Sequence, residues 1–309
     1  MMNIAIGVQG RFQFTKRNTV THEVTQETDW MDNIVLNSGL DLMAAGSWFG
    51  GVALGTGNST PVVTQTDLDA RFAASTTQQG STVNGVSSEV PYYGFSRKTF
   101  RFAAGVFNNT ILSEVGILSG NTSSAIINRA LITDAQGNPT SITMLADEYL
   151  DVTVEIRVYP NATDQTGSIN IMNRDQVSQT VNYTIRPANV NQAASYKIGT
   201  SMRATVSTSG NMLAAYSGAM GAAEYIPSGT NRWVSSTTAI THTMAAYVGG
   251  SFQVVHTVSL PVAQGNSSLS SFLIYTPLGL YQIGFDVALS KTSTQTMTFK
   301  YVVSWGRKT

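Results

Sequence analysis

The stretch VTVEIRVYP, Val152–Pro160, decides how the rest of the chain is read. Val152, Val154, Ile156 and Val158 fall on one side of an extended backbone, while Thr153, Glu155, Arg157 and Tyr159 fall on the other. Side chains of a β-strand alternate between faces, so this period of two describes a strand with one face in a core and one in solvent. The same pattern returns in YQIGFDVALS (Tyr281–Ser290) and MTFKYVVSW (Met297–Trp305). Shorter candidates are Asn3–Val8, Phe12–Thr15, Thr99–Val106, Leu112–Leu118, Ile126–Thr133, Val181–Arg186, Ser201–Thr208 and Phe252–Leu260. Many short strands separated by Gly, Asn and Ser turns predict an all-β, mainly antiparallel protein built from sandwiches or barrels.

Helical spacing is confined to two places near the start. In LNSGLDLMAAG (Leu36–Gly46), Asn37 or Ser38 is placed to cap a helix, Asp41 falls in its first turn, Leu40 and Met43 share a face, and Gly46 closes it. The second candidate is Asp67–Ala74, where Thr66 and Asp69 have the spacing of a capping box. One or two short helices are therefore expected in the N-terminal part.

With 309 residues, 42% of them hydrophobic, the chain is long enough for two domains with real cores. Tyr159–Gly167 (YPNATDQTG) runs from a strand into a Pro/Asn/Gly cluster, which predicts two tandem sandwich-like domains, 1–160 and 161–309. Charged residues are only 12% of the chain, and Ser, Thr, Asn, Gln and Gly fill the surface instead. Such a surface loses little solvation energy when copies pack together. Lys and Arg number 18, as do Asp and Glu, which gives no global attraction to nucleic acid or anionic membrane. Residues 1–160 hold 9 basic and 14 acidic side chains, net −5, and residues 161–309 hold 9 and 4, net +5. That split favours head-to-tail contact between copies.

The absence of cysteine excludes disulfides, thiolate zinc sites and a cysteine nucleophile. MMNIAIGVQGRF at the start has no basic region followed by a long apolar run, and no window approaches the ~18 apolar residues of a membrane span. A protein made in a cytoplasm and not inserted in a membrane is the expectation. Ala74–Ser88 and Ser235–Thr243 are polar and of low complexity, and are read as exposed loops or subunit-contacting arms.

Catalytic signals are sparse. His22, His242 and His256 are far apart in sequence and lack metal-type spacing, and His256 falls at an inward strand position. Gly50–Thr60 contains GxG but neither GKS/T nor a βαβ context. In ADEYLD (Ala146–Asp151) the adjacent Asp147 and Glu148 diverge, as expected for a solvated turn entering a strand. No GxSxG elbow occurs. The expectation is a non-enzyme without cofactor or metal. Clustered aromatics offer more: Tyr92, Tyr93 and Phe95 in PYYGF, Trp48 beside Phe49, and Trp233. They suit contact with a partner subunit, stacking on a glycan, or the start of core strands.

Several segments, taken together and in order, resemble tailed-bacteriophage tail structural proteins. WMDNIVLNSGLDLMAAG is similar to a segment in which a strand delivers the chain to a short helix on the sheet. GVALGTGNSTPVVTQTDLDARF resembles that family's G-x-G-N/S-x-x-P segment through Gly55, Gly57, Asn58, Pro61, Thr66, Asp67 and Leu68. ILSEVGIL matches its ISEVGV strand through Ser113, Glu114, Val115 and Gly116. NRALITDAQGNPTSITMLADEYLDVTVEIRVYP matches its RALI…ADE-LDV tail, with Arg129, Ala130, Leu131, Ile132, Asp147, Glu148 and Arg157 among the shared positions. The likeness covers about residues 25–160, and beyond that only the closing YVVSWGR. It implies a non-enzymatic fibre, collar or baseplate-type virion component, working as a homo-oligomer and with other tail proteins. Host-surface glycan binding and capsid decoration are the alternative roles. It carries no catalytic residues.

Overall fold

The computed structural model describes residues 1–46, 48–173, 176–203, 213–231, 241–263 and 266–308. The chain is all-β and sandwich-like, with one α-helix among the described residues, Asn37–Ala45. Its main sheet runs in the order Thr241–Met244, Gln253–Leu260, Met297–Arg307, Met2–Asn18, Glu148–Pro160, Gly94–Phe102, Gln78–Val86. Two short strands, Val24–Glu27 and Met31–Asp32, also pair with Met2–Asn18. A second sheet joins Ile34–Val35, Asn128–Leu131, Glu114–Leu118, Gly51–Gly55 and Arg71–Ser75. A third joins Gln165–Asn173, Gln176–Ala188, Gly279–Ser290, Ser268–Thr276 and Leu213–Tyr216.

The first and last strands lie side by side. Met2 to Val8 pair in parallel with Tyr301 to Arg307, while Ile6 to Asn18 pair antiparallel with Pro160 to Glu148. The main sheet therefore crosses residue 160: Glu148–Pro160 ends there, and Gln253–Leu260 and Met297–Arg307 from beyond it belong to the same sheet. Alternation explains the core. Ile4, Val8, Phe12 and Phe14 of the first strand and Val152, Val154, Ile156 and Val158 of its neighbour are all buried in one apolar cluster. Phe272 of the third sheet meets Phe299 of the last strand edge-on at 4.5 Å, which seals that sheet onto the main one.

The helix is the joint of the molecule. It buries Gly39, Leu40, Met43 and Ala44. A helix leaves its last carbonyls without internal partners, and here Ser201 and Met202 supply them, while Trp305 and Arg307 hold its start. Met202 N donates to Met43 O and Ser201 Oγ to Ala44 O, each at 2.8 Å. The Trp305 indole donates to Leu40 O at 2.8 Å, and Arg307 reaches both Val35 O and Asn37 Oδ1. Gly39 has no room for a side chain, because a Cβ there would lie 2.0 Å from Ile127 O.

Four expectations are corrected. The helix starts without a side-chain cap, since Asn37 Oδ1 is taken by Arg307 and Ser38 Oγ turns to Gln65 O. Asp41 lies beyond the first turn and accepts from Tyr247 Oη and Gly250 N. The second helix is absent: Arg71–Ser75 is a strand on Gly51–Gly55, and Asp69 accepts from Ser59 and Arg129 instead of capping. Within the expected loop Ala74–Ser88, Gln78–Val86 is an edge strand, exposed enough to need no apolar alternation. The Ser201–Thr208 strand lies largely outside the described residues, as does the Ser235–Thr243 loop.

Candidate functional site

Two polar constructions stand out on this frame, one sealed and one open. The sealed one begins with Glu114, set between Ser113 and Val115 in the second sheet and fully buried. Its Oε1 accepts from Gly57 N at 3.0 Å and Ala70 N at 2.8 Å, and its Oε2 from Asp69 N at 3.0 Å and Arg129 Nε at 2.8 Å. Arg129, also fully buried, spends its remaining donors on Gln65 Oε1 and on Asp69 Oδ2, the latter at 2.7 Å. Ser59 and Arg129 hold the Asp69 carboxyl below the usual carboxylate range, the Ser59 hydrogen bond contributing most. Gly55 and Gly57 are required here, since a Cβ on either would lie within 2.5 Å of Glu114 Oε1. Glu114 and Arg129 are saturated and shut off from solvent, and only the rim of the knot, at Asp69 and Ser59, reaches water. Its signal in sequence is the single carboxylate inside the apolar run ILSEVGIL.

The open construction covers the outer face of the main sheet. Glu155 is 1% exposed, contrary to the solvent-facing position its alternation gave, because three arginines lie over it. Arg97 Nε donates to Oε2 at 2.9 Å with Nη2 at 2.5 Å, Arg157 Nε to Oε1 at 2.6 Å, and Arg11 Nε stands 3.7 Å from Oε1. Burial would raise the Glu155 pKa, but hydrogen bonds and charge from Arg97 and Arg157 outweigh it and hold the carboxyl low. Burial and the neighbouring Arg157 lower the Arg11 pKa. Trp30 lies under Arg11 at 4.4 Å and under Arg97 at 5.2 Å. Tyr93 lies under Arg157 at 4.3 Å and Phe95 under Arg97 at 5.3 Å. Three guanidinium groups thus share one carboxylate, leaving a cationic, aromatic-backed plate. Further along, Arg101 grips Asp151 with two bonds of 2.7 Å.

At the end of this plate is an open cleft of roughly 530 Å³. Ala5, Gly7 and Gly306 form its floor, and Tyr92, Tyr159 and Lys308 its walls. Gly7 and Gly306 sit opposite each other in the parallel pair and add no side chains of their own, and the Lys308 side chain lies over Gly7. Tyr92 Oη donates to Glu224, which fixes that ring.

Of the sequence-based candidates, Tyr93 and Phe95 join the plate and Tyr92 the cleft. Trp48 is fully buried and its indole donates to Thr200 O at 2.8 Å, which makes it core. Trp233 lies outside the described residues. Trp30, Arg11 and Arg97 were not singled out by the sequence, because a strand's outer face shows its company only once register is known. The structure also brings together two distant histidines: His242 Nε2 is 3.0 Å from His256 Nδ1, and Tyr301 stacks on His256 at 4.9 Å. Among the described residues no group of three His, Cys, Asp or Glu is arranged to hold a metal. In comparisons with family models, curated proteins and solved structures, the chain matches none.

Proposed function

We propose that this chain is a structural component of a bacteriophage tail, of fibre, collar or baseplate type, acting by protein–protein contact and without catalysis. One observation carries the reading. The segments that resemble tail proteins are separated in sequence, yet their shared residues Gly55, Gly57, Ser113, Glu114 and Arg129 meet around one ion knot whose central pair, Glu114 and Arg129, is fully buried. A shared pattern whose residues knit strands together around a buried ion pair belongs to architecture. The low charge of the chain, 12%, supports the same reading, since few full charges need be desolvated in assembly. Mass spectrometry of purified particles tests it: the chain should be present at a fixed copy number, and deletion of its gene should give particles with incomplete or non-adsorbing tails. Normal particles that never contained the chain would refute it.

The plate and cleft favour a second role within the same particle, attachment to a host-surface glycan. Half-buried Tyr92, Tyr93 and Phe95 offer stacking faces beside cations and an open floor. Glycan-array binding that disappears in Tyr92→Ala and Tyr93→Ala would support this role, and an array without signal would exclude it.

A further inference from the structure

We infer that the strand Gln165–Asn173 is a self-association edge: two copies pair it antiparallel about a two-fold axis at Ser168, joining their third sheets into one. The inference deepens the proposed function by naming a second copy of this chain as one of its protein contacts, and rests on that reading only there.

Gln165–Asn173 is the outermost strand of its sheet, with Gln176–Ala188 on one side and no described strand on the other. Such an edge offers unpaired backbone donors and acceptors to any chain able to match them, and proteins that must stay monomeric blunt it with Lys, Pro, inward charges or bulges. This edge has none of those over its first seven residues: QTGSINIMN contains no charge and no proline, and the register shift falls only at Ile171/Met172. The contrast lies within the same molecule. At the end of the main sheet, Gln78–Val86 is broken by a register shift between Gln79 and Val83, with Gly80 at φ +67°. One long edge is blunted and the other is left regular.

The side chains give the occupant. Ile169 and Ile171 face inward but are only half buried, and they border a groove of roughly 770 Å³ whose lining mixes Met2, Met297 and Phe299 with Gln179, Thr298 and Lys300. Thr166, Ser168 and Asn170 face solvent. Ser168 is the midpoint of the regular run Gln165–Ile171. Antiparallel pairing about it sets Gly167 opposite Ile169 and Thr166 opposite Asn170. Gln165 falls opposite Ile171, so the inward face over the groove joins Gly to Ile at its centre and carries a Gln–Ile pair at each end, while hydroxyl and amide positions continue a polar outer face. No like charges meet, so the strand is compatible with its own copy, which is what a two-fold interface demands.

The test uses the full chain and the exposed Ser168. In the paired state a charge at this position faces its own copy, whereas in the monomer it faces water. Sedimentation equilibrium should show the unmodified chain dimerising, and Ser168→Lys and Ser168→Asp should each raise the dissociation constant at least about tenfold. An equimolar mixture of the two variants should recover a mixed dimer by native mass spectrometry. Circular dichroism of both variants should match the parent, since the site is exposed. A chain that is monomeric at all concentrations overturns the inference together with the oligomeric reading. An oligomer indifferent to both substitutions overturns the edge alone.

Discussion

Replacing Glu114 by Gln probes the sealed knot with almost no change in volume. Both carboxylate oxygens face only donors, Gly57 N and Ala70 N at one and Asp69 N and Arg129 Nε at the other. A glutamine carbonyl can satisfy one of these pairs. Its NH2 group must then point at two further N–H groups, which breaks two hydrogen bonds and brings donors against donors. Arg129 simultaneously loses its buried counter-charge and keeps only Asp69, whose side chain is 27% exposed. Removing one partner of a buried ion pair costs about 3–5 kcal/mol, and the two orphaned donors put the loss toward the upper part of that range. For a chain of 309 residues that corresponds to a fall in Tm of roughly 5–8 °C. Urea unfolding followed by tryptophan fluorescence, with calorimetry for Tm, measures it. Arg129→Met should cost less, because Glu114 retains its three backbone donors. A Glu114→Gln variant within about 1 kcal/mol of the parent would refute the argument that this carboxylate organises the surrounding strands.

Other outcomes follow from the same frame. Gly39→Ala places a methyl 2.0 Å from Ile127 O, so it should destabilise by at least about 1–3 kcal/mol in the same urea assay, even though alanine favours helices. Leu40→Ala, at a 1% exposed position, should cost about 2–5 kcal/mol; an unchanged midpoint would make the helix a surface feature. The histidine pair should confer acid sensitivity. Burial lowers the pKa of His242 and, together with the His242 charge, drives that of His256 to about 4, whereas an unfolded histidine titrates near 6.5. The unfolded chain therefore binds more protons between these values, so the pair's contribution is complete above pH 6.5 and is lost as pH falls toward 4. Unfolding midpoints measured at pH 7, 6 and 5 should fall less in His256→Leu than in the parent; equal slopes would contradict the coupling.

The parts of the fold that could be read in advance are those where one strand face is buried and the other is not. Val152–Val158, Tyr281–Leu289 and Met297–Trp305 lie on strands, and the inward assignment of His256 holds at 4% exposure, but within Tyr281–Leu289 the alternation breaks, with Gln282 fully buried and Val287 48% exposed. Errors came where a second layer altered that simple contrast. Glu155 alternates as a solvent residue but lies beneath three arginines. Gln78–Val86 lacks alternation because its edge position leaves it little buried, and polar sequence alone reads as a loop. Arg71–Ser75 has helical spacing, but pairing with Gly51–Gly55 overrides so short a local preference. The main sheet's passage across residue 160 depends on the parallel pairing of Met2–Val8 with Tyr301–Arg307, a contact between opposite ends of the chain that no local pattern encodes. Of the site, Tyr92, Tyr93 and Phe95 were visible as a cluster, while Trp30 and the arginines join them only through strand register.

The reading of this chain as a building part of a tail is tested most directly by cryo-electron microscopy of whole particles. The account predicts density on the tail, repeated with the tail's symmetry, into which the main sheet and its helix fit with Glu114 and Arg129 enclosed. Density confined to the head, or particles with no density for this fold, would contradict it.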